Sequence, residues 1–315
     1  LHLSIRRQRQ MCIRDSFISK KNIGNKTDRS MWNFPLRMFF IMRRYPIIPM
    51  MVIGLLIITA IFGTWMEPHD PIRADVLSRH IPPFWMEGGD TKFILGTDAL
   101  GREVLSRIIG GASVTLLVVT ASVTTGVVVG TGLGLVTGYF GGLVDDVVMR
   151  IVDAWGILPQ LLIIIIIVLT FGQGLFVLIG VLAMLSWTGA VRLVRAETLS
   201  LRSRDYVLLA QIAGASNTRI IFRHILPGVI NMVIVTATLG TGTIILTEAS
   251  LSFLGAGIPP PDPTWGKMVG DERMYVGAAW WTSFFPGIAI AMVVMSGNFL
   301  GDWMRDRFDP TLRQL

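Results

Sequence analysis

From Ile108 to Val144 the chain carries no Asp, Glu, Lys or Arg, and the same holds for Tyr45–Met66 and for Ala154–Val191. Runs of this kind limit the fold more than any other feature here. A helix rises 1.5 Å per residue, so about 20 apolar residues cross a hydrocarbon core of about 30 Å. Tyr45–Met66 suits one span, and Ile108–Val144 suits one tilted helix but not two. Ala154–Val191 is too long for one helix and is interrupted by Phe171-Gly172-Gln173-Gly174, where two spans should turn. Two more apolar runs follow, about Gly228–Leu254 with Glu248 as its single charge, and about Ala278–Leu300. The expectation is an all-α integral membrane protein with six transmembrane helices. A hydrophobic content of 52%, a charged content of 16% and a mean hydropathy of +0.60 exclude an ordinary soluble domain.

Charge sets the expected orientation. Arg43-Arg44 stand just before the first apolar run, which places its start, and an N-terminal segment of residues 1–44, in the cytoplasm. Residues 67–107 hold seven acidic against five basic residues and prolines 68, 71, 82 and 83, as an extracytoplasmic loop would. Residues 302–309 form a short charged cytoplasmic tail, so both termini are expected inside. The net charge of +7 is then positive-inside asymmetry rather than a nucleic-acid surface. Residues 11–16 read MCIRDS, a string that resembles translated adapter sequence, and residues 1–16 are set aside. The one cysteine, Cys12, lies within them, so no disulfide framework is expected. The first apolar run is too long and too far from the start for a typical cleavable signal.

Gly126, Gly130, Gly134 and Gly138 recur every fourth residue along one helical face, which predicts a seam where another helix comes close. No lysine follows in a phosphate-loop pattern, so a nucleotide cradle is not the reading. Asp146, Arg150 and Asp153 share a face at spacings of four and three, which predicts ion pairing within their helix rather than a metal site. Glu248 is the intramembrane carboxylate and therefore the candidate for substrate contact. It lies about 30 Å from Gly228 along a helix, near the outer interface, and that depth favours a structural role.

The interval Arg195–Pro227 is polar, and with Arg192 it holds six arginines against Glu197 and Asp205. It should lie outside the membrane. Tyr206, Val207, Leu209, Ala210 and Ala213 follow helical spacing, Gly214 supplies a left-handed residue, and Ser216 or Asn217 can cap a second short helix. Pro227, without an N–H, should end that helix. The product would be a knuckle with a small-residue surface at Ala213, Gly214 and Ala215.

This interval resembles the coupling motif of binding-protein-dependent ABC importer permeases: EAA, three residues, Gly, nine residues, Ile, one residue, Leu-Pro. Ala210 matches the last alanine, Gly214 the glycine and Leu226-Pro227 the final pair, whereas Leu208, Leu209 and His224 replace the glutamate, an alanine and the isoleucine. Phe93–Val118, Glu248–Val269 and the terminal GDWMRDRFDPTLRQL resemble segments of the dipeptide and oligopeptide permease family, as its second permease subunit. The resemblance implies that residues 45–315 form a permease domain importing short peptides across the inner membrane. It implies as partners a second homologous permease, two cytoplasmic ATPase subunits and an extracytoplasmic solute-binding protein. Tyr206, Ala210, Ala213, Gly214, Ala215, Ser216, Leu226 and Pro227 would meet the ATPase. No cofactor, metal or catalytic residue is called for. A permease for nickel or glutathione has the same design, and His69, His80 and His224, all outside the spans, do not separate these. A secondary transporter would fit the hydropathy but would not need the knuckle. Motifs of an intramembrane enzyme are missing from the sequence.

Overall fold

The computed structural model describes residues 46–308, and the expected N-terminal segment lies outside the described residues. Its helices are α1 (Ile47–Met66), α2 (Val104–Phe140), α3 (Gly142–Ile157), α4 (Gln160–Phe171), α5 (Leu175–Arg202), α6 (Asp205–Ile212), α7 (Asn217–Ile220), α8 (Leu226–Phe253), α9 (Trp265–Glu272) and α10 (Trp281–Phe308). Five helical stretches are long and apolar enough to cross a membrane, or six if α3 and α4 together form one bent span. The protein is an all-α integral membrane protein. Helices suit that setting because each span satisfies its own backbone hydrogen bonds.

The spans pack through small residues. Gly126, Gly130, Gly134 and Gly138 of α2 are all buried against α5. A Cβ on Gly130 would stand 2.5 Å from the Ala190 Cβ, one on Gly134 would stand 2.8 Å from the Val194 Cβ, and one on Gly138 2.6 Å from the Thr198 Cβ. On the other side of the molecule, Gly242 of α8 leaves room for Asn298 and Gly301 of α10 for Leu239. Lipid tails are as apolar as the side chains themselves, so such close approach, rather than hydrophobic transfer, holds spans together.

Three expectations from the sequence are corrected. The third span is not one straight helix: α3 and α4 meet at a 92° bend. Pro159 has no N–H and restricts Leu158 to extended backbone (φ −75°, ψ 139°), which ends α3 there. The fourth helix does not stop with its uncharged run at Val191, because α5 continues past Arg192 for ten residues to Arg202. Its buried face of Val191, Val194, Thr198 and Leu201 keeps helical spacing, and Arg192 and Arg195 pair with carboxylates outside the helix. The Asp146–Arg150–Asp153 pairing within α3 gives way to pairs with α5: Asp145 with Arg195 and Asp153 with Arg192.

The end of the molecule opposite the knuckle is a folded polar cap rather than an open loop. Asp98 accepts from Arg102 Nε at 2.8 Å and from Arg107 at 2.6 Å. Arg107 is 3% exposed, so α2 begins before its uncharged run because a buried partner makes the charge tolerable. His69 Nδ1 lies 2.8 Å from the buried carboxylate of Glu103, and His80 Nε2 lies 3.2 Å from that of Glu272. Both histidines thus tie the cap to helix ends. The Ser78 hydroxyl donates to Asp75 and holds its carboxyl below the ordinary range. The stretch between α8 and α10 contains α9, in which Trp265, Gly266, Met268, Gly270 and Glu272 are buried. The Trp265 indole donates to the Ile108 carbonyl at 2.9 Å, and a Cβ on Gly266 would stand 2.5 Å from the Ala249 Cα, so α9 is wedged between α2 and α8.

Gly132 offers an internal control for the seam, since its helical position is exposed and no atom lies within 4 Å of an added Cβ. Gly130→Leu and Gly134→Leu are expected to destabilise the helix pair by about 1–3 kcal/mol each through over-packing. Gly132→Leu should stay within about 0.5 kcal/mol of the parent, as surface changes do. Thermal midpoints and yields of purified protein check this, and equal behaviour of all three variants would mean that the seam does not limit assembly.

Candidate functional site at the Gly214 knuckle

The knuckle is built by local rules. After Arg202 the helix α5 closes with Ser203, whose hydroxyl donates to the Ser200 carbonyl, and Arg204 is extended (φ −76°, ψ 144°). Asp205 opens α6, where a negative charge suits the positive helix end. At the other end, Gly214 is left-handed (φ +77°). The Ala215 N–H donates to the Ala210 carbonyl and the Gly214 N–H to the Gln211 carbonyl, both at 3.0 Å. This is the paired-bond helix stop that a left-handed glycine permits. Ser216 then caps α7 by accepting from the Arg219 N–H at 3.4 Å.

Pro227 does not end the second helix, contrary to expectation. Residues Ile221–Ile225 form a π-turn, closed by the Leu226 N–H donating to the Ile221 carbonyl, and the helix continues straight into α8. A proline ring clashes with the carbonyl four residues before it, and the wider turn moves that carbonyl aside. The knuckle is therefore joined to α8 without a loop.

Its inner side is an apolar cluster of its own: Leu135 and Tyr139 from α2, Val194 and Leu201 from α5, with Val207, Ile220, Ile221, Ile225 and Val229. The Tyr139 hydroxyl donates to Asn217 Oδ1 at 2.9 Å, and the Tyr206 hydroxyl to the His224 carbonyl at 3.4 Å. A cleft of about 400 Å³ opens between the end of α2 and the knuckle, lined by Tyr139, Phe140, Arg202, Gln211, Ala215 and Asn217.

The outer side is what a partner would meet. Ala213, Gly214, Ser216 and Pro227 are exposed, Tyr206 is exposed, and Ala210, Ala215 and Leu226 are half-buried. No atom lies within 4 Å of a Cβ built on Gly214. Three large apolar side chains stand beside these: Leu208, Leu209 and Ile212, the last 83% exposed. In α6 only Val207 is buried, so the helix is held by one anchor and offers an apolar face outward. Sequence reasoning names Leu209 only for its helical spacing and its motif position and misses Ile212, although the three-residue spacing of the two in a polar interval is the available signal. Glu248 is not part of this site. It is 3% exposed near the far end of α8 and accepts from the Ser252 hydroxyl at 2.7 Å.

Comparison with known proteins matches residues 130–314 to the family described as binding-protein-dependent transport system inner membrane component. The chain is 39% identical to a di/tripeptide transport system permease protein of Pseudomonas aeruginosa, over 82% of this chain and 86% of the relative. It is 33% identical to an oligopeptide transport system permease protein of Bacillus subtilis, over 94% and 93%. It is 35% identical to a glutathione transport system permease protein of Pectobacterium atrosepticum, over 92% and 95%. With a family match across more than half of its length and a knuckle built on Gly214, the chain belongs to the inner membrane components of binding-protein-dependent transport systems.

Proposed function

We propose that the chain is the permease subunit of an ATP-driven importer of short peptides, with the knuckle as the element that couples ATP hydrolysis to transport. The observation that carries this reading is the exposed face of Leu208, Leu209, Ile212 and the bare Gly214 on a scaffold joined by two residues to α5 and without a break to α8. The names of the relatives support peptides as the cargo, glutathione among them as a tripeptide-like solute. The partners proposed are a second, related permease, two ATPase subunits that grip the knuckles, and an extracytoplasmic binding protein that delivers the cargo. The knuckle and both termini face the cytoplasm in this reading, and the cap faces outward. No bond is made or broken by this chain, so it works as a mechanical subunit rather than an enzyme.

The proposed mechanism follows from stiffness. Two residues, Ser203 and Arg204, separate α5 from α6, and the π-turn joins α7 to α8 without a break. A push on α6 is therefore carried into α5 and α8 as a rigid-body movement, one of the ordinary forms of a two-state transition. An apolar contact suits such a lever, because it tightens as water leaves and needs no matching charge. Leu208 stands where the family motif has glutamate, so here the docking would rest on burial rather than on an ionic bond.

Orientation is tested with single cysteines in a chain whose Cys12 has been replaced. Leu77→Cys and Met274→Cys, both at strongly exposed cap positions, should react with an impermeant thiol reagent in sealed cells. Ser203→Cys should react only after permeabilisation. The reverse pattern would invert the whole topology. Coupling is tested with Gly214→Asp, which places a Cβ in the left-handed region at a cost of about 1 kcal/mol and puts a charge into the docking face. The variant should insert and pair with its sister permease but lose bound ATPase and peptide uptake, at least tenfold. Gly214→Asn, which tolerates the left-handed turn, separates strain from docking. If purified Gly214→Asp complex keeps its ATPase subunits and substrate-stimulated hydrolysis, the knuckle is not the coupling element.

A further inference from the structure

The helix α3 is attached to the rest of the molecule in an unusual way. One of its sixteen residues is buried, Val152, and two of the twelve in α4, Ile164 and Val168. Apolar packing therefore holds this bent span weakly. Its polar contacts are concentrated instead on one stretch of α5. Arg195 donates through Nε and through its terminal nitrogen to the two oxygens of Asp145, at 2.5 and 2.6 Å, a bidentate fork. Arg192 donates to Asp153 at 2.8 Å and to the Val152 carbonyl at 3.4 Å. Gly156 makes room for this, since a Cβ there would stand 3.3 Å from the Arg192 guanidinium. The Asp145 side chain is 14% exposed and that of Arg195 30%, so this fork is shielded more than a surface pair, whereas Arg192 and Asp153 are over half exposed. Bidentate charge-assisted bonds fix orientation as well as distance.

The same stretch of α5 is gripped from its other side. A Cβ on Gly138 of α2 would stand 2.9 Å from the Arg195 carbonyl, and seven residues later α5 ends and the knuckle begins. Beyond the two aspartates, α3 runs out at Leu158, and the chain turns by 92° into α4. The juxtaposition is of a lever arm, a clamp and a bend, in that order.

We propose that Asp145 and Asp153, acting through Arg195 and Arg192, are positioning residues that lock α3 to the lever, so that knuckle movement flexes the third span at Leu158-Pro159. This rests on the coupling role proposed for the knuckle. The fork carries α3 along with α5, and the bend absorbs the difference between the moving lever and α4. Loss of the clamp leaves the ATPase docked and cycling while the third span no longer follows. Slippage of this kind lowers peptide moved per ATP hydrolysed, a quantity that a merely stabilising contact would not change.

The test uses the complete transporter in proteoliposomes, with labelled dialanine as the transported probe and ATP hydrolysis measured in parallel. Asp145→Asn with Asp153→Asn removes the charges at constant shape. It should keep complex yield, ATPase docking and hydrolysis within about twofold while uptake per ATP falls at least fivefold. A second variant carries Asp145→Cys and Arg195→Cys in a chain without Cys12. Uncrosslinked it should behave like the Asn variant, and a short thiol-to-thiol crosslinker should restore uptake, because a covalent tie replaces the ionic one. Crosslinking that blocks uptake would show that α3 and α5 separate during the cycle, and full coupling without the crosslink would show that the fork is dispensable. Either result overturns the clamp. Loss of ATPase docking in the knuckle variants, with unchanged coupling here, would leave the knuckle reading standing and refute this inference alone. A parent complex that hydrolyses ATP but moves no dialanine would count against the peptide reading, and the effect of the crosslink on hydrolysis would still decide whether α3 and α5 must part.

Discussion

The close approach of α2 to α5 is the constraint on which the remaining structure depends. In a membrane, apolar side chains gain nothing by leaving lipid for one another, so helices associate where backbones can come near and dispersion contacts accumulate. Gly126, Gly130, Gly134 and Gly138 provide that along three turns of α2. Because α5 is pinned there and keeps a buried face as far as Leu201, it holds a defined direction to its end at Arg202. The knuckle inherits that direction.

Two apolar cores result, and they serve different ends. The larger one joins the spans with Trp265, Met268 and Trp281 beneath the cap, where the indole N–H groups of both tryptophans are bonded to backbone carbonyls. The smaller one gathers nine buried residues from α2, α5, α8 and the knuckle itself. A helix of eight residues is too short to be stable alone. Here α6 is kept by Val207 inserted into that smaller core, by the paired bonds at its glycine stop and by Asp205 at its start. The outward apolar residues are thereby left exposed on an element anchored to that core, the condition under which burial against a partner can transmit force.

At the other end, polar side-chain pairs join glycine packing. Asp98 with Arg102 and Arg107, His69 with Glu103, and His80 with Glu272 each link cap segments to the start of α2 or the end of α9. Buried charges are tolerable only when paired, and pairing in turn requires the cap to adopt one arrangement. The polar stretch between the first two spans is thus structured for the same physical reason that it looked like a loop: it could not enter lipid, so its charges had to find one another.

The sequence by itself determined whatever rests on local chemistry or on the solvent. Uncharged runs of 20 residues or more become membrane helices, Gly172 in the left-handed region allows the turn between α4 and α5, and Gly214 with Ser216 dictates a helix stop and a new cap, because each follows from contacts within a few residues. The periodic glycines showed that α2 has a close neighbour, but not that the neighbour is α5. Tertiary structure alone decided the rest. Asp145 and Asp153 found Arg195 and Arg192, about 40 to 50 residues away, instead of Arg150 in their own helix. By local rules Pro227 is a stop, yet the packing of Ile221, Ile225 and Val229 into one core keeps the helix going through a π-turn. Charge pairing and core packing reward distant partners, and a local pattern lists the groups that need a partner without saying which ones the fold will bring within reach.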